Sequence, residues 1–398
     1  MAEEAKGEET VTNNTDTLDV VEEKDKAIQT TNIDLSLLPD FTEKTKRRIY
    51  ELGRIYKEKG ISLTSDGWNN PCNNPHVWPQ LVGNDHQRYR DYLSECNIPF
   101  KRTIEPSDPT QSYRRRKEEE KSVLHWGQRK LLVAEIEFLT EYGHLSDTVV
   151  YAGAAPGTHI KLLSEMFSNH RFYLYDPAPF TVRNSRNIET HQIMFTDDVA
   201  ASWAGKGVLF ISDIRSADSA LMEEDEVEEN VQKDMKAQET WCNLMKPKMS
   251  SLKFRLPWSE GASSYFAGTI YYQAWGPITT TETRLFTDCK EVVKYDNRLY
   301  ESQLFYFNTK TRIALYEHPI KDVPGLDHCY DCKAEVQILL DFFSKVGYAK
   351  EGKITDDQKL YERVADFIGK ISNDISRDRT LSSGNEENSL AFKTAKIS

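Results

Sequence analysis

The sequence predicts an α/β fold: a doubly wound, mostly parallel sheet with helices on both faces, carried behind an amino-terminal extension. Three observations predict it. Thr148 to Leu163, TVVYAGAAPGTHIKLL, reads as a β-favouring apolar run, a Gly/Pro/Ala loop and the start of a helix, which is how a βαβ unit begins. Further short apolar runs follow, and several close on an acidic residue, at the strand edge where open α/β sheets bind ligands. Segments of helical period lie between them, as crossover connections require.

In the opening unit Val149, Val150 and Tyr151 form the strand. Gly153 and Gly157 stand where backbone must turn or approach a ligand, and Thr158 is expected to cap the helix. The loop departs from the six-residue dinucleotide fingerprint, and Pro156 stands where a pyrophosphate would want backbone N–H groups. That favours a ligand without phosphates, such as S-adenosylmethionine. The second strand, RFYLYDP, ends near Asp176, whose carboxylate can accept hydrogen bonds from a ribose diol. A third strand is expected around Gln192 to Phe195, ahead of Asp197 and Asp198, and a fourth, GVLFISD, ends on Asp213.

The acidic stretch EEDEVEENVQKDMKAQETWCNLMKP is expected as a crossover helix with Val231, Met235, Trp241 and Leu244 inward, ended by Pro247. SSLKFRLPW, Ser250 to Trp258, is the fifth strand, with Lys253 facing away from the stripe of Leu252, Phe254 and Leu256. TIYYQAWGP and TTTETRLFT follow as strands, with Glu282 in the second. Ahead of the first strand, GQRKLLVAEIEFLTEYG reads as a packed helix with Lys130 at its start.

The flanks read differently. Residues 1–34 have the composition of a disordered acidic tail, and 35–109 form an extension of unassigned role that opens with a basic amphipathic helix over 35–60. The catalytic-type domain spans 110–345; 346–398 is a helical extension with a frayed tail. YRRRKEEEK, from Tyr113, is expected as a solvated helical face.

A net charge of −12 argues against a surface that is a nucleic-acid field throughout, while leaving room for local basic patches. No apolar run approaches the roughly 20 residues that span a bilayer, and the start, MAEEAKGEETV, lacks the regions of a signal peptide. An intracellular protein without membrane contact is expected. Six cysteines do not make a disulfide framework. Cys329 and Cys332 form one CxxC beside His328 with no second pair, so no metal is expected.

Four ionisable residues at element ends or inside strands, Lys130, Asp213, Lys253 and Glu282, come in an order that is itself a pattern. GQRKLL, YAGAAPGTHI, ISDIRS, SSLKFRLPW and TETRLF closely resemble the matching segments of the poxviral mRNA cap ribose 2′-O-methyltransferase family, which also serves as poly(A) polymerase stimulatory subunit, and of its relatives in other eukaryotic capping systems. The resemblance runs roughly from Tyr113 to Phe343. It implies a Rossmann-like methyltransferase sheet, S-adenosylmethionine as donor and a capped mRNA 5′ end as substrate, with other mRNA-processing proteins as further partners. The compartment implied is the nucleus for a cellular capping enzyme and the cytoplasm for a viral one.

The residue types suit that chemistry, because a ribose hydroxyl is a poor nucleophile until its proton is drawn off. The resemblance makes Lys253 the base and Lys130, Asp213 and Glu282 its partners. It places Gln128, Tyr151, Gly153, Ala155, Pro156, Gly157, His159, Asp176 and Asp213 at the donor, with Phe195 and Thr196 near the adenine. For the cap, Trp258 is expected to stack on a methylated guanine, Glu260 and Asp296 to accept its N–H groups, and Tyr113 to supply a second ring. The family's own second ring is absent, Ile278 and Thr279 standing there. Two other readings stay open: a non-catalytic RNA-binding or polymerase-stimulating subunit, and a 2′-O-methyltransferase of uncapped RNA.

Overall fold

The computed structural model describes residues 98–113, 127–216, 222–276, 280–314, 329–348 and 352–375, with a few positions between 316 and 326. The helix expected over 35–60, most of the charge run from Tyr113, and Ile278, Thr279 and His328 lie outside these residues.

One sheet of eight strands carries the fold, in the order β1-β8-β9-β6-β5-β2-β3-β4. Its parallel part is β6 (Met249–Phe254), β5 (Leu209–Ser212), β2 (Thr148–Ala152), β3 (Arg171–Tyr175) and β4 (Ile188–His191). The antiparallel edge is β9 (Thr283–Thr287), β8 (Thr269–Tyr271) and β1 (Thr103–Ile104). A separate hairpin pairs β7 (Ala262–Phe266) with β10 (Val292–Asp296). From β2 the chain winds outward through β3 to β4, then returns to the other side of β2 as β5 and β6. The winding therefore reverses between β2 and β5, and such a switch point opens a crevice at the carboxyl ends of the strands.

Helices cover both faces, as the sequence predicts. Tyr151 lies opposite Ile211 in register, so Phe210 must face the other way. On the Tyr151 face lies α1 (Gly127–Tyr142), where Tyr151 reaches Glu135. Helices α6 (Tyr330–Lys345) and α7 (Asp357–Ile375) pack over α1. That second layer explains why α1 is buried nearly all round, through Leu132, Val133, Ile136, Phe138 and Leu139. On the Phe210 face, Phe195 packs on Phe210 at 5.6 Å between ring centroids and on Trp241 at 4.8 Å. Trp241 belongs to the crossover helix α4 (Glu224–Met245), and α3 (Asp197–Ser202) lies beside it.

Several expectations need correction. The third parallel strand is Ile188–His191, not Gln192–Phe195. IETH is a polar edge strand with one fully buried residue, so its apolar signal is weaker than that of the loop after it. Leu244 is exposed, whereas Val231, Met235 and Trp241 are inward as expected. Thr158 does not cap α2 (Ile160–Met166): His159 is the cap residue, and the Thr158 hydroxyl donates to Gln128 Oε1 at 2.8 Å instead. Glu282 stands just before β9, not inside it. Cys329 is the N-cap of α6, its sulfur accepting from the Cys332 N–H at 3.5 Å.

The first turn of α1 is pinned by a fully buried charge. The Arg129 guanidinium donates to both oxygens of Glu335, Nη2 at 2.8 Å to each, and to Ser372 on α7 at 2.9 Å. Trp275 also donates to Glu335, at 2.7 Å. Replacing Arg129 by Met strands the Glu335 charge, and the expected loss is about 3–5 kcal/mol of unfolding free energy. Urea denaturation checks this; an unchanged midpoint would show that the pair does not anchor α1.

Candidate active site

The carboxyl ends of β2 and β5 meet at the switch point. Gly153, with φ +81°, follows β2, and a Cβ there would lie 2.8 Å from the Asp213 backbone carbon. Only glycine allows both that conformation and that approach. Asp213 follows β5, and register fixes its neighbours. Ser212 pairs with Leu252, which puts Asp213 beside Lys253 on β6; Lys253 in turn pairs with Arg284 on β9. Glu282, two residues before Arg284, is brought to the same cluster, and Lys130 reaches it from α1. All four residues expected as a catalytic set therefore converge.

The contacts are direct. Lys253 Nζ is 3.0 Å from Asp213 Oδ1 and 3.6 Å from Glu282 Oε2, and Lys130 Nζ is 2.8 Å from Glu282 Oε1. Two arginines complete the network. Arg284 bonds Asp213 and lies 3.2 Å from Glu282 Oε1, while Arg215 bonds Glu282 Oε2. With its amide turned to satisfy both ends, Gln273 donates to Glu282 at 3.0 Å and accepts from Arg284.

Four cations thus surround two carboxylates, and burial alone would push both carboxyl pKa values up. Lys253, Arg284 and Lys130 nevertheless hold Asp213 below the usual aspartate range. Lys130, Lys253, Arg284 and Arg215 hold Glu282 well below the usual glutamate range. For Lys253 the balance falls the other way. Burial depresses its pKa, Asp213 and Glu282 oppose that, and Lys130 and Arg215 add to it, so the ammonium is more acidic than an ordinary lysine. A shallow surface pocket between α4, β6 and the loop after β5 opens beside it, lined by Arg215, Met235, Gln238, Lys253 and Arg255. The cluster can accept a proton from a hydroxyl that enters there.

The loop after β2 is tied down through its own amides. Gly153 N and Ala154 N donate to Tyr175 O at 2.9 and 3.3 Å, and Ala155 N donates to Asp176 Oδ2 at 3.1 Å. Thr158 N donates to Gln128 Oε1 at 3.1 Å, Ile160 N to Gly157 O at 3.1 Å, and Pro156 has no N–H to give. Donors spent in this way do not form the nest that a phosphate needs. Tyr151 and His159 are fully buried behind the loop, where Tyr151 donates to Glu135 and His159 joins Gln128 to Glu135. Phe195 is buried under Trp241, and the exposed Thr196 caps α3 by accepting from Val199 N at 3.4 Å.

The residues expected at a cap are exposed but not gathered by any contact into one cage. Trp258 is 42% exposed, with the Arg255 guanidinium 4.1 Å from its ring centroid and its backbone N–H on Glu228. Glu260 is open to solvent. Asp296 is the N-cap of α5 (Asn297–Thr309), one oxygen accepting from Leu299 N at 2.9 Å. Tyr113 packs edge-on against Phe305. Sequence reasoning missed Arg284, Arg215, Gln273 and Glu135, although an arginine stands two positions beyond each of Asp213 and Glu282.

Residues 98–350 match the family described as Poly A polymerase regulatory subunit, more than half of the chain. The chain is 28% identical over 216 residues to the cap-specific mRNA (nucleoside-2′-O-)-methyltransferase of Myxoma virus (strain Lausanne), covering 47% of this chain and 62% of that relative's length. A protein of the same name from Fowlpox virus (strain NVSL) is 28% identical over 214 residues, covering 47% and 68%. Bluetongue virus VP4, whose structure is titled as revealing a multifunctional RNA-capping production line, aligns at 14% identity with a TM-score of 0.37, over 73% of this chain and 55% of that one.

Because Asp213 and Glu282 have depressed pKa values in the folded chain, their stabilising contribution is complete above the unfolded carboxylate range and is lost as pH falls through the folded values. The variant Glu282→Gln is expected to show a shallower loss of stability below about pH 4, where ordinary carboxylates titrate. Acid unfolding followed by circular dichroism measures it, and an acid limb as steep as the wild type's would contradict the assignment.

Proposed function

The chain belongs to the Poly A polymerase regulatory subunit family, and from that membership and the lysine–carboxylate cluster we propose that it is an S-adenosylmethionine-dependent mRNA ribose 2′-O-methyltransferase acting on a cap-proximal nucleotide. The observation that carries this is Lys253, whose Nζ lies 3.0 Å from Asp213 at the switch point and whose pKa is depressed chiefly by burial. The names of the Myxoma and Fowlpox relatives support the reaction class.

The donor loop fits a ligand without phosphates, since its amides are already given to Tyr175, Asp176 and Gln128. In this reading S-adenosylmethionine, when bound, supplies the electrophilic methyl group. Asp176, at the end of β3, would accept the donor's ribose hydroxyls, and Phe195 and Thr196 would flank its adenine. Gly153, Ala155, Pro156 and Gly157 form the loop that would meet it, with Gln128, Tyr151 and His159 holding that loop from behind.

Lys253 would accept the proton of the 2′-hydroxyl, which leaves the oxygen able to attack. Asp213 and Glu282 fix the amine in place, and Lys130 and Arg215 oppose its protonation. Arg284 holds both carboxylates ionised. At the RNA 5′ end, Trp258 would offer one ring face to a methylated guanine, its other face being covered by Arg255. The family description supports a second role, as a regulatory partner of a polymerase, which an active methyltransferase site does not preclude.

Three outcomes test the reading. Lys253→Met should lower turnover by about 10²- to 10⁴-fold, the usual worth of a general base, and leave donor affinity near wild type by calorimetry. Wild-type turnover should rise with pH to a plateau, since the neutral amine is the active form and its pKa is lowered; undiminished turnover in Lys253→Met would remove the residue from the reaction. Trp258→Ala should lose most of its preference for RNA with a methylated over an unmethylated cap; an unaltered ratio would place cap selection elsewhere.

A further inference from the structure

Behind the donor loop lies a buried chain of hydrogen bonds whose proton count can be worked out. Gln128 Oε1 accepts from the Thr158 backbone N–H at 3.1 Å, which fixes that atom as the oxygen, and from the Thr158 hydroxyl at 2.8 Å. His159 Nδ1 lies 2.8 Å from the same oxygen, so it carries a hydrogen and donates. The other ring nitrogen, Nε2, lies 3.0 Å from both oxygens of Glu135. A bare Nε2 facing a carboxylate would set lone pair against lone pair in a fully buried site. A further proton must therefore sit between them, as an imidazolium facing a carboxylate or an imidazole facing a carboxylic acid.

The Tyr151 hydroxyl donates to Glu135 Oε1 at 2.7 Å, and burial followed by Glu135 holds its pKa well above the ordinary tyrosine value, so it stays a donor. Asp213 and Arg284 lie beyond Tyr151 and are paired with each other. On Glu135's own helix, Arg129 is bound to Glu335 and Lys130 to Glu282.

We propose that Glu135 is the positioning residue for the donor-binding loop, acting through a proton shared with His159. One carboxylate joins the end of β2, through Tyr151, to the loop, through His159, Gln128 and Thr158. The inference rests on the donor reading above and deepens it: affinity for S-adenosylmethionine depends on a residue that does not touch it. Glutamine can replace Glu135 with the same count, because its amide N–H donates to Nε2 while its carbonyl accepts from Tyr151. Leucine can do neither.

The test is calorimetric titration of S-adenosylmethionine into the full chain as wild type, Glu135→Gln and Glu135→Leu, with thermal melting to establish that each is folded at the assay temperature. Glu135→Gln is expected to bind within about twofold of wild type and Glu135→Leu about tenfold or more weakly, the scale of lost buried hydrogen bonds. A folded Glu135→Leu with wild-type affinity overturns the proposal, as does a Glu135→Gln as weak as the leucine variant. Nitrogen NMR of the wild-type His159 ring provides a second measurement that needs no variant: a protonated Nδ1 supports the count, and a bare Nδ1 overturns it. A wild type that binds no S-adenosylmethionine overturns the positioning role together with the donor reading, whereas wild-type binding unaffected by the substitutions overturns the positioning role alone.

Discussion

The structure turns on one electrostatic constraint: two carboxylates, the buried Glu282 and the largely enclosed Asp213, hold four cations within a few ångströms of each other. Charges taken out of water persist only when paired. Here the pairing is complete for the carboxylates and excessive for the cations. Arginine keeps its proton in any such setting, so the positive excess is relieved at a lysine. Lys253, whose amine faces both carboxylates, has a pKa lowered by its burial. The same groups that pair at the strand ends thereby set the charge balance around Lys253.

The topology puts that cluster where it can act. Reversal of strand order between β2 and β5 opens a crevice, and the register of β5, β6 and β9 lays Asp213, Lys253 and Arg284 across it in one row. The loop after β2 stands at the same edge, held by its own amides and by the Gln128–His159–Glu135 chain. Loop and cluster share elements: α1 carries both Gln128, which holds the loop, and Lys130, which pairs with Glu282, and Gly153 packs against the Asp213 backbone.

Much of this was legible in the sequence because the key residues stand at the ends of apolar runs. Asp176 and Asp213 follow apolar strands, the second of them buried throughout, and Lys253 stands between Leu252 and Phe254, so alternation alone assigns it to the other face. What failed had a weak local signal. IETH is a polar edge strand whose apolar signal is weaker than that of the residues after it, and Leu244 falls on the outer side of a helix whose period is blurred by its acidic residues. What was missed altogether is long-range: Arg129 finds Glu335 across 206 positions, and Glu135 finds His159 across 24. Pairings of that kind leave no mark in the composition of either segment.

In the proposed reaction this cluster directs a methyl group onto a ribose hydroxyl next to an mRNA cap. The most direct measurement is transfer of labelled methyl from S-adenosylmethionine to RNAs that differ only at the 5′ end, followed by digestion to locate the label. The account predicts label on the 2′-oxygen of a cap-proximal nucleotide, strong with a methylated cap and weak with a bare triphosphate end. Label on a base, or equal labelling of capped and uncapped RNA at internal positions, would contradict it.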